Sequence, residues 1–186
     1  MLRILAGAIR PHAGGVTVDG VDLIEDPQSF RRRTALLSHA AFTYEVLTAF
    51  QNLEILTRIL GGESNRSAVL AILERVGLAE RADHAVSTFS AGMRKRLSLA
   101  RVLLQDARII LLDEPYGNLD ASGFELVDHL IAEWLRDERT VVIASHDLER
   151  TAPLCDEAIL LREGRVVREG AALGVGGWGL GTGEGP

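Results

Sequence analysis

Asp113 and Glu114 are the residues best placed to do chemistry. They close the apolar run "RIILLDEP" (108–115), in which four consecutive aliphatic residues precede the two acids. Such a run reads as a buried strand, and ligands of open α/β sheets sit beyond the carboxyl ends of the strands. Adjacent carboxylates at that edge are costly unless something uses them. Asp113 could hold Mg²⁺ through water, and Glu114 could polarise an attacking water. The plainer reading is a strand that ends in a polar turn.

Two further groups share this pattern. "FSAGMRKRLSLAR" (89–101) puts Ser90, Ala91 and Gly92 at a helix start. Free backbone N–H groups and the positive end of the helix dipole favour an anion there, and Gly92 lets one approach the backbone. An ordinary N-cap with a solvated basic face would look the same. "VVIASHD" (141–147) places His146 at the end of a second apolar strand, where a structural histidine is the simpler alternative. His12, His39, His84 and His129 show no metal-ligand spacing.

These groups need elements to position them. "MLRILAGAIRP" (1–11) has helical periodicity at Leu2, Ile4, Leu5 and Ile9, loosened at Gly7 and stopped at Pro11. Residues 14–20 read as a short strand, 26–33 as a helical turn and 34–40 as a buried strand. An amphipathic helix over 48–60 has Thr48 and Gln51 as a capping box. Residues 61–67 form a loop, followed by a helix over 67–77. Helices over 90–105, capped by Ser90, and 122–138 alternate with strands over 108–115 and 140–147. A short helix over 148–154 precedes a hairpin over 156–170 that turns at Glu163-Gly164. Apolar strands alternating with helices predict an α/β fold with a mostly parallel sheet flanked by helices. There are no internal repeats.

With 186 residues, 47% of them hydrophobic, the chain can bury a core. A net charge of −6 with dispersed basic residues argues against a nucleic-acid partner. The single cysteine, Cys155, cannot close an internal disulfide and reads as a small packed residue. No apolar run reaches the roughly 18–20 residues that span a bilayer.

In order and spacing, the groups over residues 1–170 resemble the C-terminal two-thirds of an ATP-binding cassette (ABC) ATPase. "FSAGM" is similar to the family signature, "IILLDEP" to its Walker B strand and "GNLD" (117–120) to its D-loop; His146 is similar to its switch histidine. The resemblance implies a P-loop NTPase-like fold with a helical sub-domain. It divides the chain into a core remnant over 1–40, a helical sub-domain with the signature over 41–105, the rest of the core over 106–170 and a disordered Gly-rich tail over 171–186. ATP and Mg²⁺ are the implied cofactors. Asp113 would lie near Mg²⁺, Glu114 would be the catalytic base, His146 would contact the γ-phosphate and Asp120 would lie at the subunit junction. Ser90, Ala91 and Gly92 would contact ATP held by a second ATPase subunit. The other implied partner is a transmembrane transporter subunit, received around Tyr44 to Thr48, which places the chain peripherally on the cytoplasmic face of the membrane.

The stretch from Ser38 to Leu53 and the signature helix resemble haem-exporter ATPases of cytochrome c biogenesis. Two positions depart from the family: Ala40 stands where a glutamine is usual, and Met93 replaces the signature's terminal glutamine. In the family a segment like "LRILAG" follows directly on the P-loop, and no G-x-x-x-x-G-K followed by Ser or Thr occurs here. The expectation is an N-terminally shortened ATPase, lacking the first strands and the P-loop and binding ATP poorly in cis. Strands 108–112 and 140–145 would then be partly uncovered, and solubility low without a partner. The alternative is a non-catalytic degenerate cassette that completes a partner's site. A chromosome-maintenance ATPase is disfavoured, since its coiled coil needs sustained heptads and none occur.

Overall fold

The computed structural model describes residues 1–38, 43–63 and 65–172. His39, Ala40 and the tail over 173–186 lie outside the described residues. Two compact units divide the chain, Met1–Ala144 and Ser145–Pro186.

The first unit is built on three parallel strands in the order β3 (Thr34–Leu37), β4 (Ile109–Asp113) and β5 (Thr140–Ala144). Thr34 pairs with Ile109, and Ile109 with Thr140. A continuous aliphatic run suits the middle strand, which is covered on both faces. Ile110, Leu111 and Leu112 of β4 are accordingly buried. Residues 141–144 of β5 remain half-buried. The core of β4 is therefore covered, against the expectation that it would be partly exposed. The short helix α1 (Leu2–Leu5) packs against β3 and β4 and supplies part of that cover.

That first helix is shorter than its periodicity suggested. Gly7 has φ +66, and a Cβ there would lie 2.9 Å from Leu23 Cδ1, so the chain turns away after one helical turn. The single strand expected over 14–20 is a tight hairpin of β1 (Thr17–Val18) and β2 (Val21–Asp22). It turns through Asp19 and Gly20, both at positive φ. Val18 and Leu23 pack with Phe30 of α2 (Pro27–Arg32), whose N-cap is Asp26.

Helices α3 (Ala49–Ile59), α4 (Arg66–Arg75) and α5 (Ala91–Gln105) pack on one another, and α5 also packs on β3. The Thr48–Gln51 capping box forms in both directions, at 3.1 and 2.9 Å. Helix α6 (Ala121–Arg136) lies against β5 and buries Val127, Leu130, Ile131 and Trp134 at helical spacing.

The second unit opens with α7 (Leu148–Thr151), capped by Asp147, and a 3₁₀ turn over Ala152–Leu154. Antiparallel β6 (Glu157–Arg162) and β7 (Arg165–Ala171) form the expected hairpin, with Glu163 and Gly164 at positive φ. Among the described residues, only the three-stranded sheet is parallel.

Candidate functional site

The acid pair stands where β4 leaves the sheet. Asp113 is the last strand residue and pairs with Ala144. Glu114 turns sharply, with φ +47. That left-handed conformation costs an L-residue roughly 1–2 kcal/mol, and hydrogen bonds hold it on both sides. The Glu114 N–H donates to the Ala144 carbonyl at 2.9 Å. The Glu114 carbonyl accepts from the Gly117 N–H at 3.2 Å and from Lys95 Nζ at 2.7 Å. Lys95 Nζ also lies 3.5 Å from the Asp113 carbonyl oxygen. Lys95 is 8% exposed. Burial pushes its pKa down, and the charges of Asp113 and Glu114 partly oppose that.

The small-residue turn lies beside the same segment. Ser90 caps α5, its Oγ accepting the Met93 N–H at 3.2 Å, while Phe89 anchors the approach in the core. A Cβ on Gly92 would lie 3.1 Å from the Asn118 carbonyl oxygen, so the helix start adjoins the 117–120 turn. Arg96 spans the rest. It donates to the Val76 carbonyl at 3.1 Å, to Ser122 Oγ at 2.8 Å and to Asp120 Oδ1 at 3.4 Å.

Asp120 is the N-cap of α6. It accepts the Gly123 N–H at 2.8 Å and the Ser122 hydroxyl at 3.0 Å, and these bonds hold its carboxyl below the usual range. Tyr116 steadies the turn between the acids and Asp120. Its hydroxyl donates to Asp128 at 2.6 Å, and its ring meets Phe124 edge-on at 5.7 Å.

The first unit thus gathers Ser90, Ala91, Gly92, Asp113, Glu114 and Asp120 around the N-terminal half of α5. His146 belongs to the second unit, where it is exposed, two residues beyond the end of β5 and one before the Asp147 cap. Asp113 fits Mg²⁺ by chemistry, being a hard carboxylate. Among the described residues no cluster of three His, Cys, Asp or Glu side chains could cage a metal.

Lys95, Arg96 and Asn52 carry contacts that sequence reading missed. Asn52 is 1% exposed and fastens the loop before α3. Its Oδ1 accepts the Tyr44 N–H at 2.7 Å, and its Nδ2 donates to the Tyr44 and Thr48 carbonyls at 3.0 and 2.9 Å. Tyr44 and Val46 are left exposed on that loop. A polar residue three places into an apolar-faced helix was the available signal.

A parallel sheet with an acid-tipped central strand, set beside the open start of a long helix, is the architecture of an ATP-binding cassette. In a solved dimeric structure of the cassette MJ0796, in a post-hydrolysis state bound to ADP and Pi, the match reaches TM-score 0.82 at 26% identity. It covers 92% of this chain and 78% of that one. The family model described as ABC transporter matches residues 1–117, and the chain belongs to that family.

The ABC transporter ATP-binding protein NatA of Bacillus subtilis is 34% identical, over 92% of this chain and 71% of its own length. The cytochrome c biogenesis ATP-binding export protein CcmA of Haemophilus influenzae is also 34% identical, over 78% of this chain and 69% of its own. So is the aliphatic sulfonates import ATP-binding protein SsuB 1 of Mesorhizobium japonicum, over 89% and 61%. Haem-exporter kinship is thus one likeness among several. No helix among the described residues is long and apolar enough to cross a membrane.

Proposed function

We propose that this chain is the ATP-hydrolysing subunit of an ABC transporter, peripheral on the cytoplasmic face of the membrane. The reading is supported above all by the convergence of the acid pair and the Ser90–Gly92 helix start on one end of α5. Glu114 takes a proton from the water that attacks the γ-phosphorus, and ADP leaves with the bonding electron pair. Asp113 would hold Mg²⁺, which when bound offsets phosphate charge. His146 contacts the γ-phosphate. Ser90, Ala91 and Gly92 offer backbone N–H groups to the γ-phosphate of ATP held by a second ATPase subunit, and Asp120 lies at that junction. Residues 41–105 act as the helical sub-domain, and the loop from Tyr44 to Thr48 receives the transmembrane subunit. No nucleic acid takes part.

The 186 residues include no phosphate cradle of the G-x-x-x-x-G-K type. By themselves they are expected to bind MgATP weakly, since two or three missing charge-assisted hydrogen bonds at about 1.5–3 kcal/mol each cost orders of magnitude in affinity. The second reading is a non-catalytic cassette that lends its signature to a partner. The test is ATP turnover by the assembly purified through a tag on this chain. Glu114→Gln should abolish turnover while ATP is retained; unchanged turnover would remove Glu114 from the mechanism and favour the second reading. Micromolar MgATP binding by the isolated 186 residues would overturn the weak-binding expectation. Haem export, supported by the CcmA likeness, predicts that haem stimulates turnover, and no stimulation excludes it as cargo.

A further inference from the structure

We infer that Lys95 is a positioning residue for the hydrolytic carboxylate, tying the backbone of Glu114 to the helix that begins at Ser90. This rests on the reading of Glu114 as the base.

Lys95 is a buried ammonium whose near acceptors are backbone carbonyls, those of Glu114 at 2.7 Å and Asp113 at 3.5 Å. Among the described residues it makes no ion pair within 4.0 Å. A charge is expensive to bury, and an apolar side chain would fill the same space more cheaply. What the lysine adds is a directed donor to the peptide that leaves Glu114, one of the two whose orientation sets where its carboxylate points.

That peptide needs holding, because Glu114 is left-handed at φ +47. The Ala144 carbonyl fixes the residue's N–H, and Lys95 with the Gly117 N–H fixes its carbonyl. The other end of the linkage is the signature. Lys95 is the fifth residue of α5 and Ser90 is its cap, so the two are separated by about 7 Å of rigid helix. A displacement of the helix start, such as docking onto a second subunit's nucleotide, is passed to the Glu114 turn through the Lys95 ammonium. The residue that senses one nucleotide and the residue that hydrolyses the other therefore share a lever.

The test compares Lys95→Met, which removes the donor, with Lys95→Gln, which keeps one. Hydrogen exchange is read on the full chain and ATP turnover on the tagged assembly. In Lys95→Met the Glu114 and Gly117 amides should exchange faster while Leu99 and Val102 keep their protection. The kcat should fall about a hundredfold, the cost of a misplaced reacting group, with the KM for ATP unchanged. Lys95→Gln should recover most of both. Unchanged exchange at residues 114 and 117 would overturn the inference. So would an unchanged kcat in Lys95→Met when Glu114→Gln has abolished turnover. A matched loss of protection along the whole of α5 would mean that Lys95 only stabilises the fold, and would also overturn it. If Lys95→Met does not fold, Lys95→Arg decides. Its longer planar donor displaces the carbonyl and should lower kcat at constant KM, and a wild-type kcat refutes the inference. Turnover that survives Glu114→Gln instead refutes the proposed function, and exchange at 114 and 117 then judges Lys95 by itself.

Discussion

Replacing Asn52 by alanine removes the clamp on the loop that precedes α3. Three well-formed hydrogen bonds are lost: from the Tyr44 N–H at 2.7 Å, and to the Thr48 and Tyr44 carbonyls at 2.9 and 3.0 Å. Each is worth about 1 kcal/mol net, so the direct loss is about 3 kcal/mol. For a chain of this size that corresponds to about 6–12 °C in Tm. Asn52→Asp makes a sharper test. It keeps the acceptor for Tyr44 but turns a carboxylate towards two carbonyls at a site that is 1% exposed, and should cost more than alanine. Urea denaturation measures both, and hydrogen exchange at the Tyr44 amide reports the loop directly. A loss below about 0.5 kcal/mol for alanine would place the side chain among neutral surface positions and refute the argument, as would an aspartate variant more stable than the alanine one.

Three other outcomes follow from the geometry. Gly92→Asp should lower the urea midpoint modestly, because the new Cβ lies 3.1 Å from the Asn118 carbonyl oxygen although an acid suits a helix start. It should reduce turnover about a thousandfold, since a carboxylate about 4 Å from phosphate costs about 4 kcal/mol at an effective dielectric of 20. Gly7→Ala should cost about 2 kcal/mol or more in denaturation, because φ is +66 and the new Cβ meets buried Leu23 and Phe30 at 2.9 and 3.2 Å. Asp120 is held below the ordinary carboxylate range by the Gly123 N–H first and Ser122 next. Its contribution is therefore present above about pH 4 and is lost as pH falls through the lowered value. The stability gap between wild type and Asp120→Ala should hold near neutrality and narrow in acid, and a gap that widens in acid would contradict the sign.

What could be read beforehand was whatever local chemistry decides. Thr48 with Gln51, Ser90 before an apolar-periodic run and Glu163-Gly164 between two strands each carry their instruction within four residues, and each forms as expected. The hairpin at Asp19-Gly20 escaped because its two-residue strands are too short to show an alternation. Lys95 and Arg96 escaped for a different reason. A basic pair on an amphipathic helix reads as a solvated face, and only the return of the chain at 113–122 brings carbonyls and a hydroxyl to meet it. Asn52 went unread because the loop that buries it lies outside its own helical pattern.

The register of the parallel sheet also sets a timetable. Thr34 pairs with Ile109, and Ile109 in turn with Thr140. On a translating ribosome, β3 emerges several seconds before its neighbour exists, at about 5–20 residues per second. Throughout that interval the apolar ribbon Ala35–Leu37 lacks its β4 neighbour, and α3 and α4 can coil beside it. Nascent chains are thus most exposed to aggregation and to chaperone capture between the synthesis of residues 37 and 109, so substitutions that weaken α3 or α4 should reduce yield in cells more than they reduce the stability of the finished molecule.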